Sequence, residues 1–225
     1  MTPSWNRRAR SALARFSCWV VLRTKREEPR TNEATLSAMS LLKRGRGHPL
    51  TLFAPGGDGD NLAGRMSYAD RVKGTKIGFA YGQSAHSETT ARIRRQADRD
   101  AAEVLALAHE HKLKRAIGFS RGARAIVGAL AEEPGVFLQI ALAIPPRGTA
   151  AGRWMPWLES LSQLSVRASL SADILVIADR VDAGHPVDVA EFWAKQLGAR
   201  LEVHPPRSLS TDPERMKDEL ADFLN

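Results

Sequence analysis

Six short apolar runs punctuate the chain from residue 50 onward: "LTLFA" (50–54), "KIGFAY" (76–81), "RAIGF" (115–119), "FLQIALAI" (137–144), "DILVIA" (173–178) and "RLEVH" (200–204). Their hydrophobicity is continuous rather than alternating, the mark of strands buried on both faces. Between the second and third runs, Ile93, Ala97, Ala101, Val104 and Ala108 recur at helical spacing and predict one long amphipathic helix. "VDVAEFWAKQLG" predicts another before the sixth run, and "DPERMKDELADFL" a closing helix with Asp212 as N-cap and Pro213 in its first turn. Strands alternating with helices predict an α/β architecture: a mostly parallel, doubly wound sheet with helices on both faces.

Two regions fall outside this alternation. Residues 146–171 carry the apolar cluster Trp154, Met155, Trp157 and Leu158 and read as a short lid inserted in the α/β domain. Ahead of the first run, "FSCWVVL" and "TLSAMSLL" are either an N-terminal hairpin or part of an extension. The expected organisation is therefore a basic N-terminal arm over residues 1–46, possible hairpin included, and one α/β domain over 47–225.

Charge changes the picture only locally. The net charge of +8 on 225 residues suggests an anionic partner until it is located: up to Gly47 basic residues outnumber acidic ones eleven to three, and beyond it the numbers are equal. A neutral body argues against nucleic-acid binding. The single Cys18 excludes a disulfide framework and fits a reducing, cytoplasmic setting. No apolar run approaches the roughly 20 residues of a membrane span, and "ALARFSCWVVL" is broken by Arg15.

The chemistry centres on "GFSRG", residues 118–122, where a buried strand gives way to a helical pattern through Ala123, Ile126, Val127 and Leu130. Ser120 falls at the corner, and glycine two residues to either side suits a place where a Cβ would collide with neighbouring elements. A serine presented this way at the carboxyl end of a strand is a nucleophile elbow.

With this motif in place, the chain from about residue 47 onward resembles the α/β-hydrolase superfamily. "GHPLTLFAPGGDGD" looks like the family's strand and oxyanion loop, "GFAYGQSAHS" like the segment crossing the site's floor, and "ADILVIADRVDAGHP" like the strand and loop that deliver the acid. The resemblance implies Ser120 as nucleophile, the backbone N–H groups of Arg121 and Gly57 or a neighbour as oxyanion donors, and Asp182 as the acid, with Asp179 its competitor. Trp154, Met155 and Trp157 would form the substrate lid. No metal or organic cofactor is implied.

The base departs from the family pattern. The expected histidine falls among Pro206, Arg207, Ser208 and Leu209, none of which is one. Beyond Asp182 there remain His185 and His204; the family's order of serine, acid, histidine is completed by His204, which the reading takes as base. His185 follows Asp182 so closely that holding that carboxylate and reaching the serine conflict. His86 is a candidate for the site's floor, while His109 and His111 read as solvated ends of a helix. The expectation is a serine hydrolase of carboxylic esters or related acyl compounds, working on a small-molecule substrate through an acyl-enzyme. The rival reading is a non-catalytic protein of this fold that binds a small apolar ligand or a partner. Oligomeric state is left open.

Overall fold

The structure, a computed structural model, describes residues 40–57, 61–81, 90–145, 171–180, 185–205 and 212–225. Seven strands form one sheet: β1 (Leu41–Arg44), β2 (Leu50–Ala54), β3 (Thr75–Phe79), β4 (Arg115–Phe119), β5 (Gln139–Ala143), β6 (Asp173–Asp179) and β7 (Arg200–His204). Their spatial order is β1-β3-β2-β4-β5-β6-β7. Every pairing is parallel except that of β1 with β3, which is antiparallel. The five helices described are α1 (Leu62–Met66), α2 (Thr90–Glu110), α3 (Arg121–Glu132), α4 (Val187–Leu197) and α5 (Pro213–Leu224), with a short 3₁₀ turn at Ser67–Ala69 after α1.

Successive strand residues point to opposite faces, and the core divides accordingly. On one face Leu52, Ile77, Ala116, Leu142 and Val176 meet α2, α3 and α4 through Val104, Ile126, Leu130 and the fully buried Trp193. On the other, Phe53, Ile117, Ala141, Leu175 and Ile177 meet α1, the 3₁₀ turn and α5 through Met66, Met216 and Leu220. Burial on both faces is why the strands read as unbroken apolar runs. The long helix lies where expected, with Ala97, Ala101, Val104 and Ala108 all buried. Asp212 caps α5 by accepting from the Arg215 amide at 3.2 Å, with Pro213 following.

β1 lies ahead of the expected domain start at residue 47. "LLKR" is half exposed in alternation and pairs Leu41 with Phe79 through Arg44 with Lys76 at the edge of the sheet. All but the last residue of the expected lid (146–171, with Trp154, Met155 and Trp157), together with Asp182, His86 and the arm up to residue 39, lie outside the described residues. Among the described residues no helix is long and apolar enough to cross a membrane.

The winding sense reverses between β2 and β4. The connection from β2 runs to β3 on one side, and that from β4 to β5 on the other. Loops leaving such a pair diverge at the strands' carboxyl ends and open a crevice, the usual ligand site of a doubly wound sheet.

Candidate active site

Ser120 stands at this crevice, between the end of β4 and the start of α3. Its φ of 47° and ψ of −108° lie far from the ordinary regions for a residue with a Cβ, a strain on the order of 1–3 kcal/mol that the surroundings must hold in place. Two backbone bonds do so: the Ser120 amide donates to the Ala143 carbonyl at 3.0 Å, and its carbonyl accepts from the Arg124 amide at 3.1 Å. The flanking glycines are sterically required. A Cβ on Gly118 would stand 2.7 Å from the Ala123 nitrogen, and one on Gly122 would stand 2.0 Å from the Ala54 carbonyl oxygen. The corner therefore packs α3 directly onto β4 and β2 while its one side chain with a hydroxyl points outward.

That hydroxyl meets a histidine. Ser120 Oγ and His185 Nε2 are 2.9 Å apart. His185 immediately precedes Pro186, the N-cap residue of α4, so a short connection from β6 suffices to bring the ring to the elbow at the carboxyl edge of the sheet.

The expectation for His204 is corrected here. His204 ends β7, three strands from β4, about 14 Å away at ordinary strand spacing. It is 1% exposed, and its Nε2 pairs with the Glu219 carboxylate on α5. The ring is thus turned into the α5 side of the sheet, away from Ser120. Chain order favoured His204, yet the seven residues between the end of β6 and the start of α4 gave the better signal, since so short a link cannot leave the crevice.

The two residues expected as oxyanion donors, Arg121 and Gly57, lie beside this corner. Arg121 is the first residue of α3, a position whose N–H has no acceptor within the helix. Gly57 has a φ of +57°, and the carbonyls of this loop are held by two arginines. Arg65 Nη1 donates to the Gly56 carbonyl at 2.5 Å, and Arg121 Nη1 to the Gly57 carbonyl at 3.3 Å. Gly56 itself lies against the elbow: a Cβ there would be 3.3 Å from Ser120 Cβ.

The Arg121 side chain belongs to a buried polar cluster that sequence reasoning missed. Its Nε and Nη2 bind the two oxygens of Asp100, each at 2.8 Å, and Arg124 Nη2 reaches the same carboxylate at 3.0 Å. The guanidinium lies 3.9 Å from the centre of the Tyr81 ring. Burial, reinforced by Asp100, pushes the Tyr81 phenol well above its usual range. Glu103, one turn along α2 from Asp100, has its carboxyl raised to about 7 by burial and then by the Asp100 charge. A buried Glu103 oxygen has no hydrogen-bond partner among the described residues.

Gly56, Gly57, Arg65, Tyr68, Phe119, Ser120, Ile144 and His185 enclose a cavity of about 370 Å³. Tyr68, Phe119 and Ile144 supply its apolar lining, with the Tyr68 and Phe119 rings 5.4 Å apart; the serine, the histidine and the arginine supply its polar lining. Among the described residues no group of three or more His, Cys, Asp or Glu stands where it could hold a metal ion.

No protein-family model matches the chain, and no curated protein matches it. Solved structures do. A hydrolase from Pseudomonas aeruginosa superposes with a TM-score of 0.58 at 18% identity, over 83% of this chain and 94% of that one. A monoacylglycerol lipase from Paleococcus ferrophilus gives 0.58 at 10% identity, over 82% and 99%. An enol-lactonase from Burkholderia xenovorans gives 0.58 at 13% identity, over 83% and 96%. The seven-stranded, mostly parallel sheet with its helices and the superposition on these hydrolases agree: the chain has the α/β-hydrolase fold.

Proposed function

We propose that the protein is a serine hydrolase of carboxylic esters or related acyl compounds, with Ser120 as nucleophile and His185 as general base. The observation that carries this reading is the 2.9 Å contact between Ser120 Oγ and His185 Nε2 on a strained corner that opens into a cavity. A hydroxyl is a weak nucleophile at neutral pH unless an adjacent base takes its proton. With Nε2 on the serine, Nδ1 is the nitrogen a carboxylate would hold, and Asp182 in the same connection is assigned that role.

In the first step Ser120 Oγ attacks the substrate's carbonyl carbon as its proton passes to His185 Nε2. The oxyanion of the tetrahedral intermediate accepts from the backbone N–H groups of Arg121 and Gly57, each such donor contributing on the order of 2.7–4 kcal/mol. Collapse expels the alcohol, which takes the proton from His185. Water, deprotonated by the same ring, then attacks the acyl-enzyme and releases the acid and the free serine. The binding-only alternative drew its support from a missing histidine, and His185 in contact with Ser120 removes that support.

A fluorophosphonate probe tests the reading without knowledge of the substrate. Labelling is expected at Ser120 and is abolished in Ser120→Ala. His185→Gln is expected to slow labelling and ester turnover by at least about a hundredfold, the scale of a lost general base. His204→Gln loosens its contact with Glu219 and lowers stability instead. Absence of labelling with probes of several sizes, or full activity in His185→Gln, refutes the assignment.

A further inference from the structure

Arg65 is the one cation among the described residues that line the cavity, and its wall includes no described carboxylate. The guanidinium spends one N–H on the Gly56 carbonyl and makes no ion pair among the described residues. The other arginine at this loop differs in this respect, since Arg121 is held along one edge by both oxygens of Asp100. A half-buried guanidinium facing a cavity keeps planar donors suited to two oxygens of one anionic group.

Its distance from the chemistry is bounded by the backbone. A Cβ placed on Gly56 would be 3.2 Å from Arg65 Nη1 and 3.3 Å from Ser120 Cβ, so these two atoms are at most 6.5 Å apart. That span suits an acyl group with a carboxylate only a few carbons beyond the scissile carbonyl. The apolar wall of Tyr68, Phe119 and Ile144 would take the intervening methylenes.

We infer that Arg65 is a specificity residue and that the substrate is a monoanionic ester or lactone, its acyl part ending in a carboxylate of succinyl to glutaryl length. The inference rests on the acyl-hydrolase reading, and its test is built to fail separately. Monomethyl glutarate and dimethyl glutarate share one carbon chain and differ by one charge; both are offered to the wild-type protein, with acid release followed at constant pH. The expected kcat/KM favours the monoanion at least about tenfold, as for one charge-assisted bidentate contact, and Arg65→Met lowers that ratio at least about tenfold while Arg65→Lys retains part of it. An arginine that only braces the Gly56 carbonyl would lower both rates together and leave the ratio unchanged, which overturns the proposal.

Calorimetric titration of the Ser120→Ala protein with the same two esters supplies a readout free of turnover. Arg65-dependent preference for the monoanion supports the subsite even if neither ester is hydrolysed, a result that would count against the esterase reading alone. Hydrolysis of both esters with no charge preference overturns the subsite and leaves the esterase reading standing. Neither turnover nor binding of the monoanion overturns the subsite as well.

Discussion

Replacing Asp100 with alanine removes the one carboxylate shown between two buried guanidiniums. The variant loses three charge-assisted bonds, at 2.8, 2.8 and 3.0 Å, from side chains of which Asp100 is 3%, Arg121 5% and Arg124 9% exposed. Removing one partner of a buried pair costs about 3–5 kcal/mol, chiefly because the other charge stays buried without compensation. Burial already disfavours the charged form of Arg124, while Arg121 keeps the Gly57 carbonyl and the Tyr81 ring, so the whole of that range applies. For a chain of 225 residues each kcal/mol shifts Tm by about 2–4 °C, so a fall of roughly 6–20 °C is expected. Urea unfolding followed by circular dichroism, with thermal melts alongside, measures both quantities. Repeating the melts in 1 M salt should leave the difference from wild type unchanged, because ions screen exposed pairs and not this one. A loss below about 1 kcal/mol, or one that disappears in salt, refutes the account of Asp100 as a buried counter-ion.

Glu103 supplies a pH dependence. Its folded carboxyl titrates near 7 against an ordinary value of 4.5, so the folded state holds a proton that the unfolded chain has released, and stability falls as pH rises from about 4.5 to 7, then levels. Glu103→Gln should remove this slope and gain about 1–2 kcal/mol at pH 8, allowing for solvent screening of a partly exposed group; equal unfolding midpoints at pH 5 and pH 8 in the wild type contradict it. Gly122→Ala drives a Cβ into the Ala54 backbone and should cost about 1–3 kcal/mol, whereas Gly135→Ala, with nothing within 4 Å, should be neutral or stabilising by up to about 1 kcal/mol. Urea midpoints of the two variants check the contrast.

The inner sheet was legible because double-sided burial writes a continuous apolar run, and β2 and β4 begin and end at the residues the pattern marked. β1 was only half legible, "TLSAMSLL" reaching Leu42 as one arm of a possible hairpin: an antiparallel edge strand half open to solvent needs few apolar residues, and Lys43 and Arg44 made it look like the end of the basic arm. The glycine-flanked corner at Ser120 was legible through steric necessity at Gly118 and Gly122. Which histidine meets Ser120 was not, because chain order is a habit of a family whereas proximity to Ser120 is a matter of loop length. Asp100 and Arg65 escaped for a third reason. Periodicity counts apolar positions, so a carboxylate buried inside "ADRDAAEV" and an arginine on a five-residue helix read as solvated surface.

Ile144 has a consequence for anyone wishing to redesign the cavity. It is a β-branched residue at a φ of +45°, a conformation that stores on the order of 1–3 kcal/mol, and it lines the chamber beside Ser120. Widening an enzyme pocket by truncating a side chain ordinarily sacrifices stability. At this position glycine would release backbone strain comparable to the roughly 1.5–3 kcal/mol lost with the aliphatic side chain, so Ile144→Gly should melt within a few degrees of wild type while enlarging the cavity. Laboratory evolution toward larger substrates has a nearly neutral first step there, taken on a loop that bears neither the serine nor the histidine.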